Sequence, residues 1–289
     1  MTLLVEGMVV AGLVILLAGL ILARGRVAAA YGMEKIVILG PVFYAAALAI
    51  FGAEHLIDPK DVATLVPHWI PTPVFWTYLV GIALIAAAIS FIAWKHVRLS
   101  AASFALLMLI FVATIHLPNL LSNLHQRLFW TLVLRESGFG AGALVLAGCF
   151  SGSRVAVQIG RLVIGIALVF YAVEQFLFPH FAPGVPLQKL TPVWVPAPIV
   201  LAYIVGLVFL ITGFGLLLRA SSLSIARIAA AAAGTVLLLL TAFLYLPIFL
   251  MEMHAPLAAE GMNYIGDTLL FAGAVLLAGF DTDLTGTRA

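Results

Sequence analysis

Two sets of polar side chains stand out in a chain that is 64% hydrophobic: Glu54, His55, His116, His125 and Glu136 in its first half, and Glu174, Tyr245, His254 and Asp267 in its second. Ionisable groups within a bilayer are costly, so they face a bundle interior or a cavity and carry a functional hypothesis by default. Carboxylates and imidazoles that converge inside a bundle can bind a transition metal. The same groups can exchange protons with a quinol, because imidazole titrates near neutral pH. Quinone and a transition metal are therefore the two cofactor classes in view. A structural buried ion pair accounts for the acids equally well, interfacial capping accounts for His125 and His254, and solvation accounts for His55, His68 and His180. Arg135 precedes Glu136 directly, and adjacent residues on a helix do not face each other. Each is expected to find another partner, with Arg135 serving Glu54. Asp267 has no base near it in sequence.

Several chemistries are excluded. There is no His-Glu-x-x-His and no pair of Glu-x-x-His helices, so a di-iron site of the usual kind is not expected. Glycine-rich phosphate loops are absent. Cys149 is the only cysteine, which rules out an internal disulfide or a Cys-x-x-Cys pair, so electron transfer through the chain requires a bound cofactor. No basic block points to nucleic acid.

The elements that must position these residues follow from composition. Only 9% of the 289 residues are charged and the mean hydropathy is +1.22. A soluble domain needs roughly 25% charged residues, so the solvent for most of this surface is lipid. Apolar runs of about 20 residues, enough to cross a bilayer, occur near 3–23, 36–57, 73–94, 100–117, 128–150, 157–178, 197–218, 224–250 and 263–280. The first run has no basic segment before it and carries Glu6, which reads as a retained helix rather than a cleaved signal. The fold expected is all-α and polytopic, with about nine transmembrane helices.

Within that array lies a repeat. "VPHWIPTPVFWTYLVG" (66–81) aligns with "TPVWVPAPIVLAYIVG" (191–206), pairing Pro67, Trp69 and Pro71 with Pro192, Trp194 and Pro196. Glu54 meets Glu174 upstream. Downstream "HLP" at 116–118 meets "YLP" at 245–247, His125 meets His254, and "AGALVLAG" (141–148) meets "AGAVLLAG" (272–279), which sets Glu136 opposite Asp267. An even number of helices per copy gives parallel repeats about an axis along the membrane normal. The division is then an extra N-terminal helix (1–30), a first four-helix module (31–153) and a second (154–289). The extra helix packs across the repeats or mediates association. Closely spaced prolines hold the Pro-x-Trp-x-Pro-x-Pro element extended. Its indole suits the membrane interface, and two readings follow: an interfacial anchor, or a lid folded over each bundle.

"GAEHLIDP…LVPHWIPTPVFWTYLVGIAL", followed by a basic turn and another apolar helix, resembles the DoxX-like membrane proteins, over about 36–150 and more loosely over about 157–280. Those are single four-helix modules with a histidine at the end of the first helix and a Val-Pro-x-Trp-hydrophobic-Pro-x-Pro loop. The chain departs from the pattern in having Gln175 where the first copy has His55. It also has "HLPN" (116–119) and "YLPI" (245–248) where the family has a Phe-Pro-Ala-Asn-like helix end. The resemblance implies a membrane component of a quinone-linked redox or oxidative-stress system, with a membrane or periplasmic redox partner. The residues leave two alternatives, a proton- or cation-coupled small-solute transporter and a non-catalytic scaffold. Arg24, Arg26, Lys35, Lys95, Arg98, Arg154, Arg219, Arg227 and Arg288 fall on one side, against Lys60, Lys189 and Arg127 on the other. The positive-inside rule then places the N-terminus outside and the C-terminus in the cytoplasm of a bacterial-type inner membrane.

Overall fold

A computed structural model describes residues 2–185, 188–218, 221–255 and 258–285. Arg219 and Arg288, counted in the charge partition above, lie outside the described residues. Among the described residues nine long helices follow one another: α1 (Leu3–Ala29), α2 (Glu34–Ile57), α3 (Pro73–Ala93), α4 (Val97–Ser122), α5 (Arg127–Ser151), α6 (Arg154–Leu177), α7 (Pro198–Leu218), α8 (Leu223–Glu252) and α9 (Ala258–Leu277). Among the described residues there is no strand beyond one isolated bridge, Phe181 with Leu190. The first eight helices are long and apolar enough to cross a membrane, and the protein is an all-α, multi-pass membrane protein. Glu260, Asn263 and Asp267 lower the hydropathy of α9. It compensates by position: every residue from Ile265 to Leu277 is buried by other helices.

The matched residues of the two copies repeat the same local irregularities. Thr72 and Ala197 both take a left-handed conformation (φ 52° and 47°) immediately before the proline that starts α3 or α7, where that proline already bars the ordinary helical region. Val112–His116 in α4 and Thr241–Tyr245 in α8 are both π-turns, each followed by Leu-Pro. Pro118 and Pro247 have no N–H to give to the preceding turn and would clash with it, and one widened turn relieves both problems. Gly81 lies against His55 and Leu56, as Gly206 lies against Gln175 and Phe176, with no room for a Cβ in the first case and little in the second.

The two sets of helices are interleaved. α2 packs along α9, and α6 packs along α5, while α5 and α9 cross each other at the centre. At that crossing a Cβ on Gly142 would stand 2.6 Å from the Cα of Ala274, so the helices touch backbone to backbone, as small residues allow in membranes. The extra helix α1 lies along α2 through a one-sided seam of Val5, Met8, Gly12, Gly19 and Ala23, and leaves its other face exposed.

The crossing yields a direct test. Gly142→Ala forces the two backbones apart and is expected to lower the thermal midpoint in detergent, at a cost of roughly 1–3 kcal/mol. Gly25→Ala meets nothing within 4 Å and is expected to leave the midpoint unchanged or slightly raised. Equal midpoints for the two variants would show that the crossing is not close-packed.

Candidate functional site

The outer half of the α5–α9 crossing holds a buried polar network. Arg135 of α5 reaches across to Asp267 of α9, Nη1 to Oδ2 at 2.5 Å. It also folds back on its own neighbour, with Nη2 3.1 Å and Nε 3.3 Å from Glu136 Oε1. Glu136 and Asp267, matched in the repeat, are 9% and 7% exposed and clasp the same guanidinium. This corrects the expectation that adjacent Arg135 and Glu136 need separate partners and that Arg135 serves Glu54. A guanidinium is long and forked enough to turn along its own helix, which a rule about facing Cβ positions does not capture. At 1.5 Å per residue, Glu136 and Asp267 lie about 13 Å from the outer ends of their helices. Asp267 is thus halfway along α9, deeper than a helix end.

Glu54 sits instead on the α2–α9 seam. Its Oε1 accepts a hydrogen bond from Asn263 Nδ2 at 2.9 Å, and no cation pairs with it among the described residues. The carbonyl oxygen of Asn263 is buried with no hydrogen-bond partner there. Its counterpart Glu174, at the end of α6, pairs with Arg127 (Nε to Oε2, 3.3 Å). That guanidinium also lies over the rings of Phe178 and Phe181, at 4.5 and 4.0 Å. Both arginines of the network come from α5. The equivalent α9 positions are Ala258 and Gly266, so three of the four matched acids share two cations and Glu54 takes an amide instead.

The matched acids are held by arginine and asparagine side chains. His125 and His254 are exposed at the ends of the turns before α5 and α9. They stay outside because each follows the last turn of its helix, beyond the packed bundle. His55 donates from Nδ1 to the Phe51 carbonyl at 2.8 Å. His116 lies within reach of the Arg135 charge and has no hydrogen-bond partner among the described residues. Tyr245, its counterpart, is fully buried and donates to the Pro183 carbonyl at 2.8 Å. No group of three or more His, Cys, Asp or Glu side chains able to hold a metal ion occurs among the described residues.

The two Pro-x-Trp-x-Pro-x-Pro loops take different roles. The first, with Pro67 and Pro71, leaves Trp69 71% exposed, as an interfacial anchor does. The second folds inward: Ala182 and Val185 are fully buried, Gln175 Nε2 reaches the Gly184 carbonyl at 3.5 Å, and Lys189 clamps Glu252 at 2.9 Å. Here Pro192, Trp194 and Pro196 follow a plug rather than a free loop.

A separate cleft of about 580 Å³ opens between α1–α2 and α8–α9, lined almost wholly by apolar side chains that include Phe43, Ile50, Phe249, Met253, Met262 and Leu269. Thr241 and Ala242 of the α8 π-turn border it. Glu54 lies one helical turn beyond Ile50, and Asn263 falls between the lining residues Met262 and Ile265, so the acid–amide pair borders the outer edge of the cleft. Asn263 and Arg161 were not read from sequence as site residues. Arg161 is buried and caps the end of α9 through the Ala278 and Phe280 carbonyls, at 2.8 and 3.0 Å. The signal for both was an isolated polar residue in an apolar run.

Residues 44–134 match a family model described as a domain of unknown function (DUF8561). The match takes in Glu54, His55, His116 and His125 and stops one residue before Arg135. No curated protein and no solved structure matches the chain.

The clasp predicts non-additive energetics. Arg135→Gln leaves two buried carboxylates facing each other and is expected to destabilise the protein by about 3–5 kcal/mol. Adding Asp267→Asn and Glu136→Gln to that variant is expected to restore most of the loss. Thermal unfolding of the single and combined variants reads the coupling, and strictly additive effects would mean that the three side chains act separately.

Proposed function

We propose that the protein is the membrane component of a quinone-linked redox system and holds the quinone in the lateral cleft. The observation that carries this reading is the pairing of an apolar, membrane-level cleft with an acid–amide pair at its outer edge. An isoprenoid tail needs apolar surface alone, and the ring needs a few polar groups at one end. Reduction of a quinone to a quinol takes two electrons and two protons. In this reading a membrane or periplasmic electron-transfer partner supplies the electrons. Glu54, held by Asn263 and balanced by no cation among the described residues, passes protons at the ring. The loop and helix-end residues that resemble the DoxX-like proteins support the same assignment.

The orientation belongs to this proposal as well. Arg26, Lys35, Lys95, Arg98, Arg154 and Arg227 lie at the helix ends opposite the polar network, and several tie that end together: Arg227 bridges Glu34 and Asp281, and Arg26 lies over Trp94. Under the positive-inside rule that end is cytoplasmic, which opens the Pro-rich loops to the outside of a bacterial-type inner membrane. One observation favours proton- or cation-coupled transport instead: two acids and one guanidinium, of net charge −1 when ionised, meet where α5 and α9 cross, with Asp267 halfway along α9.

Protein purified under mild extraction is expected to carry isoprenoid quinone, and to bind a short-chain quinone saturably in nanodiscs. Ala242→Phe, at an exposed position lining the cleft, is expected to weaken that binding at least about tenfold, equivalent to 1.4 kcal/mol, without loss of fold. Glu54→Gln is expected to retain binding but to remove proton uptake on reduction. Absence of both co-purified and added quinone would sink the reading, and proton flux in liposomes without quinone would favour transport.

A further inference from the structure

The two copies differ at their outer ends in a way that the repeat makes measurable. From Glu54 and Glu174 to Pro67 and Pro192 the offset between copies grows from 120 to 125 residues, so the second loop is five residues longer. Those residues accompany the plug. The segment Phe181–Val185 enters the second module and offers two successive backbone carbonyls, Pro183 to Tyr245 Oη and Gly184 to Gln175 Nε2. Under it, Gln175 is 1%, Tyr245 0% and Leu240 5% exposed.

The first module has the same seat without the plug. His55, His116 and Phe111 hold the positions of Gln175, Tyr245 and Leu240, and all three are partly exposed. Its own loop does not fill the place: it is wound into two short turns, Pro59–Val62 and Ala63–Leu65, and its Trp69 points away into the surroundings. A fully plugged seat in one copy thus stands beside an open seat in the other, with a side chain able to hydrogen-bond at each matched latch position.

We infer that the open seat of the first module, at His55 and His116, binds an extended proline- and glycine-containing segment of a second polypeptide on the same side of the membrane as the loops. The second module shows the fit, because its seat is filled by such a segment through backbone groups. The chemistry of the latch selects the same class. With Nδ1–H given to Phe51, a neutral His55 presents Nε2 as an acceptor, whereas His116 has both ring nitrogens available. A peptide backbone offers an N–H and a C=O to such a pair. A quinone offers acceptors only and leaves His55 unmatched. The floor argues against an anion: Arg135 is already shared by Glu136 and Asp267, so the group carries no spare positive charge. The seat is built from His55 of α2 with Phe111 and His116 of α4, none of which lines the cleft between α1–α2 and α8–α9.

The test uses the full-length protein in nanodiscs and a labelled, end-blocked peptide of the plug itself, Phe-Ala-Pro-Gly-Val (residues 181–185), with a scrambled peptide as control. Saturable binding is expected, together with slower acylation of His55 and His116 by diethyl pyrocarbonate and no change at the exposed His96 or His125. His55→Leu combined with His116→Phe is expected to weaken binding roughly tenfold, for two hydrogen bonds. His55→Gln with His116→Tyr, which installs the latch that the second copy already tolerates, is expected to retain it. If the Leu/Phe variant fails to fold, the protection pattern and the Gln/Tyr variant decide. No saturable binding, equal binding of the scrambled peptide, or protection of these histidines by a short-chain quinone but not by the peptide would overturn the assignment.

Discussion

A guanidinium buried between two carboxylates fixes the helices that carry it more tightly than apolar contact can. In lipid the hydrophobic effect gives little preference for helix against helix over helix against acyl chain, so the α5–α9 crossing depends on close contact and on Arg135. Separating the two helices would leave Asp267 and Arg135 without each other in a medium that solvates neither. The bare backbone contact at Gly142 and Ala274, about two turns further in, lets the helices approach closely enough for that side chain to span them. From this one crossing the rest follows: α6 is laid along α5 and α2 along α9, and α1 covers part of α2.

Because the clasp draws one acid from each copy and its cation from only one, the duplication is symmetric in backbone and asymmetric in charge. The same division appears at the outer ends. The second copy has spent its latch residues, Gln175 and Tyr245, on its own loop, and the first copy carries ionisable rings at those positions, both partly exposed. A duplicated module in which one copy is closed by its own chain supplies a rigid half against which the other can bind.

Much of the fold was legible because bilayer thickness and proline chemistry are local constraints. The nine apolar runs fall on the nine long helices of the described residues, and the Leu-Pro steps that aligned the copies are the ones that force the matched π-turns. The interleaving was not legible, since a repeat of four helices reads as two self-contained bundles until the long-range packing is known. Glu54 and Arg135 illustrate the limit at the site. Sequence placed both near one end of the bundle, but the partner of each was decided by α9, more than 100 residues away. His125 and His254 were matched in register yet remain outside, because register fixes equivalence between copies and says nothing of depth. The change of offset between the loops was present in the alignment and is the trace that the plug leaves in the sequence.

The place of α9 follows from its own composition. With Glu260, Asn263 and Asp267 in its outer half it is too polar to face lipid along its length, so neighbours must enclose it, and α2, α5 and α8 do. Enclosure then gives α9 two different seams. Toward α5 it offers Asp267 to a guanidinium. Toward α1, α2 and α8 it offers Met262, Ile265 and Leu269 to an apolar cleft. Asn263 lies between the two, one turn before Asp267, and hands its amide N–H to Glu54 while its side-chain carbonyl has no hydrogen-bond partner among the described residues. Asn263 is therefore the residue at which the polar seam of α9 meets its apolar one.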